Sequence, residues 1–76
     1  MTLRNRIAVD AQELRRRGGH PNRLYLTTDN AIRLQYEMIS EGGPLAHRIM
    51  LSGLRQVVSG IYGLKIIWKS PRFDIA

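Results

Sequence analysis

The chain has 76 residues, no cysteine and a formal net charge of +6, with 12 lysines and arginines against six acidic residues. This length gives one domain with a thin core, and the lack of cysteine excludes disulfides and thiolate metal sites. Hydrophobic residues make up 43% of the chain, which excludes a disordered protein, and no apolar run approaches a membrane span. Since the N-terminal residues also lack a signal-peptide pattern, we expect a cytoplasmic protein without membrane contact.

The first third of the chain predicts a helix and then a strand. Apolar residues recur at helical spacing over residues 3–17, and the glycine pair 18–19 ends that pattern. Residues 23–28 alternate instead, with Leu24 and Leu26 on one face and polar or aromatic side chains on the other. Such alternation is typical of a half-buried strand.

A second helix is expected over residues 30–41. Asp29 or Thr28 would serve as its N-cap, because both side chains can accept a hydrogen bond from a free backbone N–H. The predicted buried stripe of this helix has helical spacing and consists of Ile32, Tyr36 and Ile39, widened by Ala31, Leu34 and Met38.

Residues 44–61 allow two interpretations. Pro44 suits the first turn of a third helix, whose buried stripe would be Met50, Leu54, Val57 and Ile61. Against this helix, Gly53 in its interior would cost about 1 kcal/mol relative to alanine. The alternative is a strand over residues 47–51. We favour the helix, because its periodic pattern continues beyond the glycine.

Residues 63–68 form the clearest strand pattern, with Leu64, Ile66 and Trp68 on one face. The elements therefore follow the order helix, strand, helix, helix, strand. We predict a small α+β domain whose two strands pair in parallel through a right-handed crossover. A two-stranded sheet is marginal alone, so oligomerisation is a way to complete it.

The main candidate site is the arginine run at the end of the first helix. Arg15, Arg16 and Arg17, followed by two glycines and then Arg23, could clamp phosphate groups. The competing interpretation is a solvated helix end whose dipole favours cations.

A second basic group lies near the C-terminus, where Lys65, Lys69 and Arg72 alternate with aromatic residues. If the two predicted strands are neighbours, Arg23 and Tyr25 join Lys65 and Lys69 on one outer face. If the first helix covers that face, this surface does not exist.

Other kinds of site have little support in the sequence. The two histidines, His20 and His47, have no companion ligands, so we expect no metal or other cofactor. No serine or carboxylate lies in a catalytic motif, and we expect no enzyme. The helix pair around residues 42–44 resembles a helix-turn-helix only weakly, because its second helix would begin with mostly apolar residues.

Residues 23–29, Arg-Leu-Tyr-Leu-Thr-Thr-Asp, precede a predicted helix, and residues 61–68, Ile-Tyr-Gly-Leu-Lys-Ile-Ile-Trp, contain the last strand. This arrangement resembles a segment of tailed-phage major capsid proteins, in which a strand before a short helix is followed by a strand of the pattern Gly-(Leu/Met)-x-(Val/Ile)-x. The chain is shorter than any capsid subunit. The resemblance implies a small phage-type protein, which would act in the host cytoplasm, and no site residue is transferred from it.

Charge and fold together predict a basic binding module that contacts nucleic acid or a nucleoprotein complex through its arginines. The alternative is a phage-type protein-interaction module. It would be either an inhibitor that docks on an acidic host protein or a homo-oligomeric structural protein. This alternative rests on apolar residues that one thin layer would leave uncovered, such as Ile67, Phe73 and Ile75.

Overall fold

The computed structural model describes residues 1–76 and contains four helices and four strands. The helices are α1 (Leu3–Arg16), α2 (Thr28–Ser40), α3 (Gly43–Ser52) and α4 (Leu54–Val57). The strands are β1 (Arg23–Tyr25), β2 (Gly60–Ile61), β3 (Leu64–Ile67) and β4 (Asp74–Ile75). The predicted α+β class is confirmed.

The sheet is larger than the sequence predicts. Its strand order is β2-β3-β1-β4, with β1 and β3 parallel at the centre and the two outer strands antiparallel to their neighbours. The expected parallel pair therefore exists, but the prediction of a two-stranded sheet is wrong. Both added strands have two residues each, and so short a segment shows no alternation that could reveal it.

Helix α1 matches its predicted position and buries Leu3, Ile7 and Ala11. Helix α2 begins earlier than expected. Its N-cap is Thr27, whose hydroxyl accepts a hydrogen bond from the Asn30 backbone N–H, in place of the predicted Asp29 or Thr28.

The buried face of α2 differs from the predicted stripe. Leu34 and Met38 enter the core, whereas Ile32 and Tyr36 are 48% and 65% exposed. Leu34 and Met38 belong to the same buried cluster as residues of α1 and of the sheet, so the tertiary arrangement decides which flank of a broad apolar stripe is buried.

The long third helix is interrupted at the glycine that the sequence marks as costly. Gly53 has φ of +84°, a left-handed conformation that ends α3 and starts α4. The break changes the phase of the buried face. Ala46 and Ile49 are buried in α3, while Met50, predicted to be buried, is 66% exposed.

The core lies between the helices and one face of the sheet. Its buried residues come from all four helices and from β1 and β3, with Leu26 just beyond β1. Phe73 and Ile75 in the C-terminal segment pack against this core and help to close it. None of the helices has the length and apolar character required to cross a membrane.

Candidate functional site

The two central strands place cationic and aromatic side chains on the face of the sheet away from the core. In the parallel register, Arg23 lies beside Lys65, and Tyr25 lies beside Ile67. Residues paired in register point to the same face, so these four side chains share one side of the sheet. We call this set, Arg23, Tyr25, Lys65 and Ile67, the open sheet face.

The burial pattern shows that no helix covers the open sheet face. Leu24 and Ile66, which point the other way, are buried in the same cluster as Leu3 and Ile7 of α1. Arg23 and Lys65 are exposed, and Tyr25 and Ile67 are half-buried. The first helix therefore packs on the opposite face, and the surface predicted from strand alternation is present for Arg23, Tyr25 and Lys65.

One acidic residue also belongs to this side of the sheet. Asp74 of β4 pairs in register with Tyr25 and is exposed. It lies on the strand beyond β1, so β1 separates it from Lys65. Arg23 and Lys65 thus have no carboxylate within salt-bridge distance, while the side of the face near β4 is less positive.

Arg15 reaches the same end of the sheet from α1. Its guanidinium donates a hydrogen bond of 2.8 Å to the backbone carbonyl of Tyr62, in the turn between β2 and β3. That turn lies directly before β3, next to the end at which Arg23 and Lys65 begin their strands. Arg15, Arg23 and Lys65 therefore lie at one end of the domain.

The turn that receives Arg15 is unusual. Tyr62 and Gly63 both have positive φ, at 51° and 78°. Two central residues of this kind in a two-residue hairpin form a type I′ turn, in which asparagine and glycine are preferred. A tyrosine in the first position is therefore strained, and its carbonyl is the group that accepts the Arg15 hydrogen bond.

The other two members of the arginine run have an acidic partner. The Glu13 carboxylate accepts two hydrogen bonds from Arg16, of 2.9 and 2.5 Å, and one of 3.1 Å from Arg17. The Arg16 hydrogen bond is the main reason why the pKa of Glu13 lies below its usual value, and the same bond raises the pKa of Arg16. One carboxylate is shared by two guanidinium groups, so the pair retains a reduced positive charge.

Lys69 and Arg72 lie at the opposite end from Arg15. Lys69 follows the carboxyl end of β3, next to the end of β1, where the Ser70 N–H donates to the Leu26 carbonyl. Its backbone has φ of 56°, in the left-handed region. Lys69 therefore does not extend the pair formed by Arg23 and Lys65, in contrast to the predicted four-residue surface.

Salt bridges divide the charged residues of the molecule into two groups. The paired arginines all belong to helices or their caps and are Arg4, Arg6, Arg16, Arg17 and Arg33. With their four carboxylates they carry a formal charge of +1, so the remaining seven cations and two carboxylates carry +5 of the net +6. The unpaired cations also include Arg48 and Arg55, which no sequence pattern singles out.

Compared with known proteins, the chain matches no protein-family model, and no curated protein or solved structure is significantly similar to it. The resemblance to phage capsid segments stays a prediction.

Proposed function

We propose that the chain is a non-enzymatic nucleic-acid-binding module that uses the open sheet face together with Arg15. The observation that carries the proposal is the side-by-side position of Arg23 and Lys65, both exposed and without a carboxylate partner. Neighbouring strands lie about 4.8 Å apart, so the two cations can contact one phosphate or two consecutive ones.

The unpaired state of these cations matters for affinity. A cation that already has a carboxylate partner must lose that partner before it neutralises a phosphate, whereas a free one releases counterions directly. Arg16 and Arg17 share Glu13, and Arg15 is held by the Tyr62 carbonyl. We therefore assign the larger contribution to Arg23 and Lys65, and a supporting one to the arginine run.

The test compares two double variants that remove the same formal charge. Fluorescence anisotropy with a labelled oligonucleotide measures affinity at several salt concentrations for the wild type, R23Q/K65Q and R16Q/R17Q. We expect R23Q/K65Q to weaken binding more and to reduce the salt dependence more. Wild-type affinity weaker than roughly 10⁻⁴ M at low salt, below ordinary non-specific binding, would refute the proposal.

A second candidate function is protein interaction or self-association, supported by apolar side chains on the helical side. Tyr36, Met50 and Leu51 are 65%, 66% and 74% exposed. Light scattering coupled to gel filtration tests this candidate. A salt-resistant oligomer that L51S or Y36S converts to a monomer supports it, and a monomer at all concentrations contradicts the self-association form.

Of the three residues that the sequence suggested for such an interface, Ile67 lies on the open sheet face, and the other two pack against the core. Phe73 and Ile75 are half-buried against the core, and the Arg6 guanidinium lies 5.1 Å from the centre of the Phe73 ring. A Phe73→Ala variant would therefore report on folding, and Tyr36 and Leu51 are the better probes of association.

A further inference from the structure

We infer that the ligand of the open sheet face is single-stranded nucleic acid, with one base stacked on Tyr25 and the adjacent phosphates on Arg23 and Lys65. This inference rests on the proposed function and adds the strandedness of the ligand and the role of the tyrosine. The proposed function and this inference concern the same surface. The shape of that surface decides whether it can accept a duplex or a single strand.

The shape of the surface disfavours a duplex. The major groove of B-DNA admits an α-helix or a two-stranded ribbon, whereas the open sheet face belongs to a sheet of four strands. Arg23 and Lys65 lie on its two central strands, with β2 on one side and β4 on the other. Arg23 and Lys65 can therefore contact a flexible single strand that lies across the sheet more easily than they can contact base edges at the bottom of a duplex groove.

The helices offer no better element for reading a duplex. The exposed side chains of α3 are largely apolar or neutral, with Arg48 as its one arginine. In α1, Arg6 lies 3.7 Å from the Asp10 carboxylate, and Arg16 and Arg17 share Glu13. A groove-binding helix needs a row of free cations and base-reading side chains on one face.

Tyr25 is placed to provide a stacking surface. It lies two residues after Arg23 on the same strand and the same face, about 7 Å further along. The neighbouring Ile67 is half-buried and extends the apolar surface beneath a base. Any base can stack on an aromatic ring, so binding should tolerate different sequences.

The experiment compares ligands of equal length. Anisotropy titrations use labelled single strands of about 10 nucleotides, as DNA and as RNA, and a blunt DNA duplex of the same length. We expect the wild type to bind the single strands at least tenfold more tightly than the duplex. The DNA and RNA arms show which of the two single strands is preferred.

Variants then separate stacking from charge. We expect Y25L to lose roughly 5- to 150-fold in single-strand affinity, the range of one stacked base, and Y25W to retain affinity. The matched control is Y36L, since Tyr36 is exposed on α2 and should not contribute. R23Q and K65Q should each reduce the salt slope by about 0.7, and R48Q should leave it unchanged.

Because Tyr25 is half-buried, Y25L could lose affinity through a folding defect, so the stacking is also measured on the wild-type protein by NMR. On addition of the single strand, the ring proton resonances of Tyr25 should move upfield from base stacking, while those of Tyr36 should not. Equal affinity for duplex and single strand, with Tyr25 resonances unmoved, would overturn the inference. If R23Q and K65Q still weakened binding in that case, the proposed function would stand without it. A lack of wild-type binding to any oligonucleotide would overturn both.

Discussion

Glu37 of α2 holds the amino end of α1 across the interface between the two helices. Its carboxylate accepts hydrogen bonds of 2.8 Å from the Leu3 N–H and 3.1 Å from the Arg4 N–H. These are two of the four N–H groups that a helix leaves without an internal partner. The Thr2 hydroxyl accepts a hydrogen bond from a third N–H group, that of Asn5. Two of the three capping hydrogen bonds of α1 therefore depend on Glu37, which lies 34 positions after Leu3 in the sequence.

The size of this contribution follows from the local environment. Each hydrogen bond to a charged group contributes about 1.5–3 kcal/mol, whereas loss of an ordinary N-cap costs about 1 kcal/mol. The Glu37 side chain is only 18% exposed, and Leu3 is 1% exposed, so water replaces the lost acceptor poorly. We expect Glu37→Ala to lower the free energy of unfolding by about 2–4 kcal/mol.

That loss is a large fraction of the stability of so small a domain, which is roughly 4–11 kcal/mol for this length. Urea denaturation followed by circular dichroism measures it, and the melting temperature should fall by at least about 10 °C. Glu41→Gln is the matched control, because Glu41 pairs with Arg4 but is 59% exposed and should contribute less than about 1 kcal/mol. Equal losses in the two variants, or a loss below about 0.5 kcal/mol in Glu37→Ala, would refute the capping role.

Three further predictions concern the turn and the charged surface. The pKa of Glu13 is lowered mainly by Arg16, so its stabilising contribution is present above the unfolded-state pKa and lost as the pH falls through the folded-state pKa. Arg16→Gln should raise the Glu13 pKa in an NMR titration, and an unchanged pKa would contradict the assigned cause. Tyr62→Asn should raise the free energy of unfolding by about 0.5–1 kcal/mol in urea melts, because asparagine suits positive φ; a loss of stability would show that the Tyr62 side chain has its own packing role. Asp74→Asn should increase single-strand affinity about twofold to fivefold in anisotropy titrations, and no increase at low salt would place the ligand away from β4.

The elements that the sequence predicts well are those with enough residues to show a period. The 14 residues of α1, and the alternation around Leu24 in β1 and Ile66 in β3, leave little ambiguity about the type of element. The elements that it misses are β2 and β4, each two residues long, which exist because β3 and β1 offer free edges to pair with. The pairing of a short edge strand depends on tertiary contacts, so the local sequence gives almost no indication of it.

The same distinction applies to the candidate site. Strand alternation, together with the assumption that the two strands are neighbours, placed Arg23, Tyr25 and Lys65 on one face, but it also placed Lys69 there, where the left-handed backbone of that residue ends the alternation. The pairing of Arg16 and Arg17 with Glu13 also has a sequence signal, since the spacings are three and four residues along a helix. The hydrogen bond from Arg15 to the Tyr62 carbonyl spans 47 positions, and only the folded structure reveals it.

The adjacency of Arg23 and Lys65 has a thermodynamic consequence. Like charges that face each other on neighbouring strands destabilise a sheet by about 0.2–1 kcal/mol, and neither Arg23 nor Lys65 has a carboxylate within salt-bridge distance. If the proposed function holds, a bound phosphate relieves this repulsion, and the arrangement then exchanges stability of the free protein for affinity toward the anion. Arg23→Gln should therefore increase the free energy of unfolding at low salt while it weakens nucleic-acid binding.

The direction of the stability change in Arg23→Gln, and its dependence on salt, distinguish charge repulsion from an effect of packing. The gain in stability should shrink in about 0.5 M salt, because the screening length there is well below 10 Å, while a packing effect would persist. Arg48→Gln removes an equal charge from α3 and controls for the general reduction in net charge. If Arg23→Gln destabilised the protein at low salt, or gained no more stability than Arg48→Gln, the two cations would not repel each other in the way that their register implies. Their charged groups would then lie too far apart in the free protein to act as one preformed anion site.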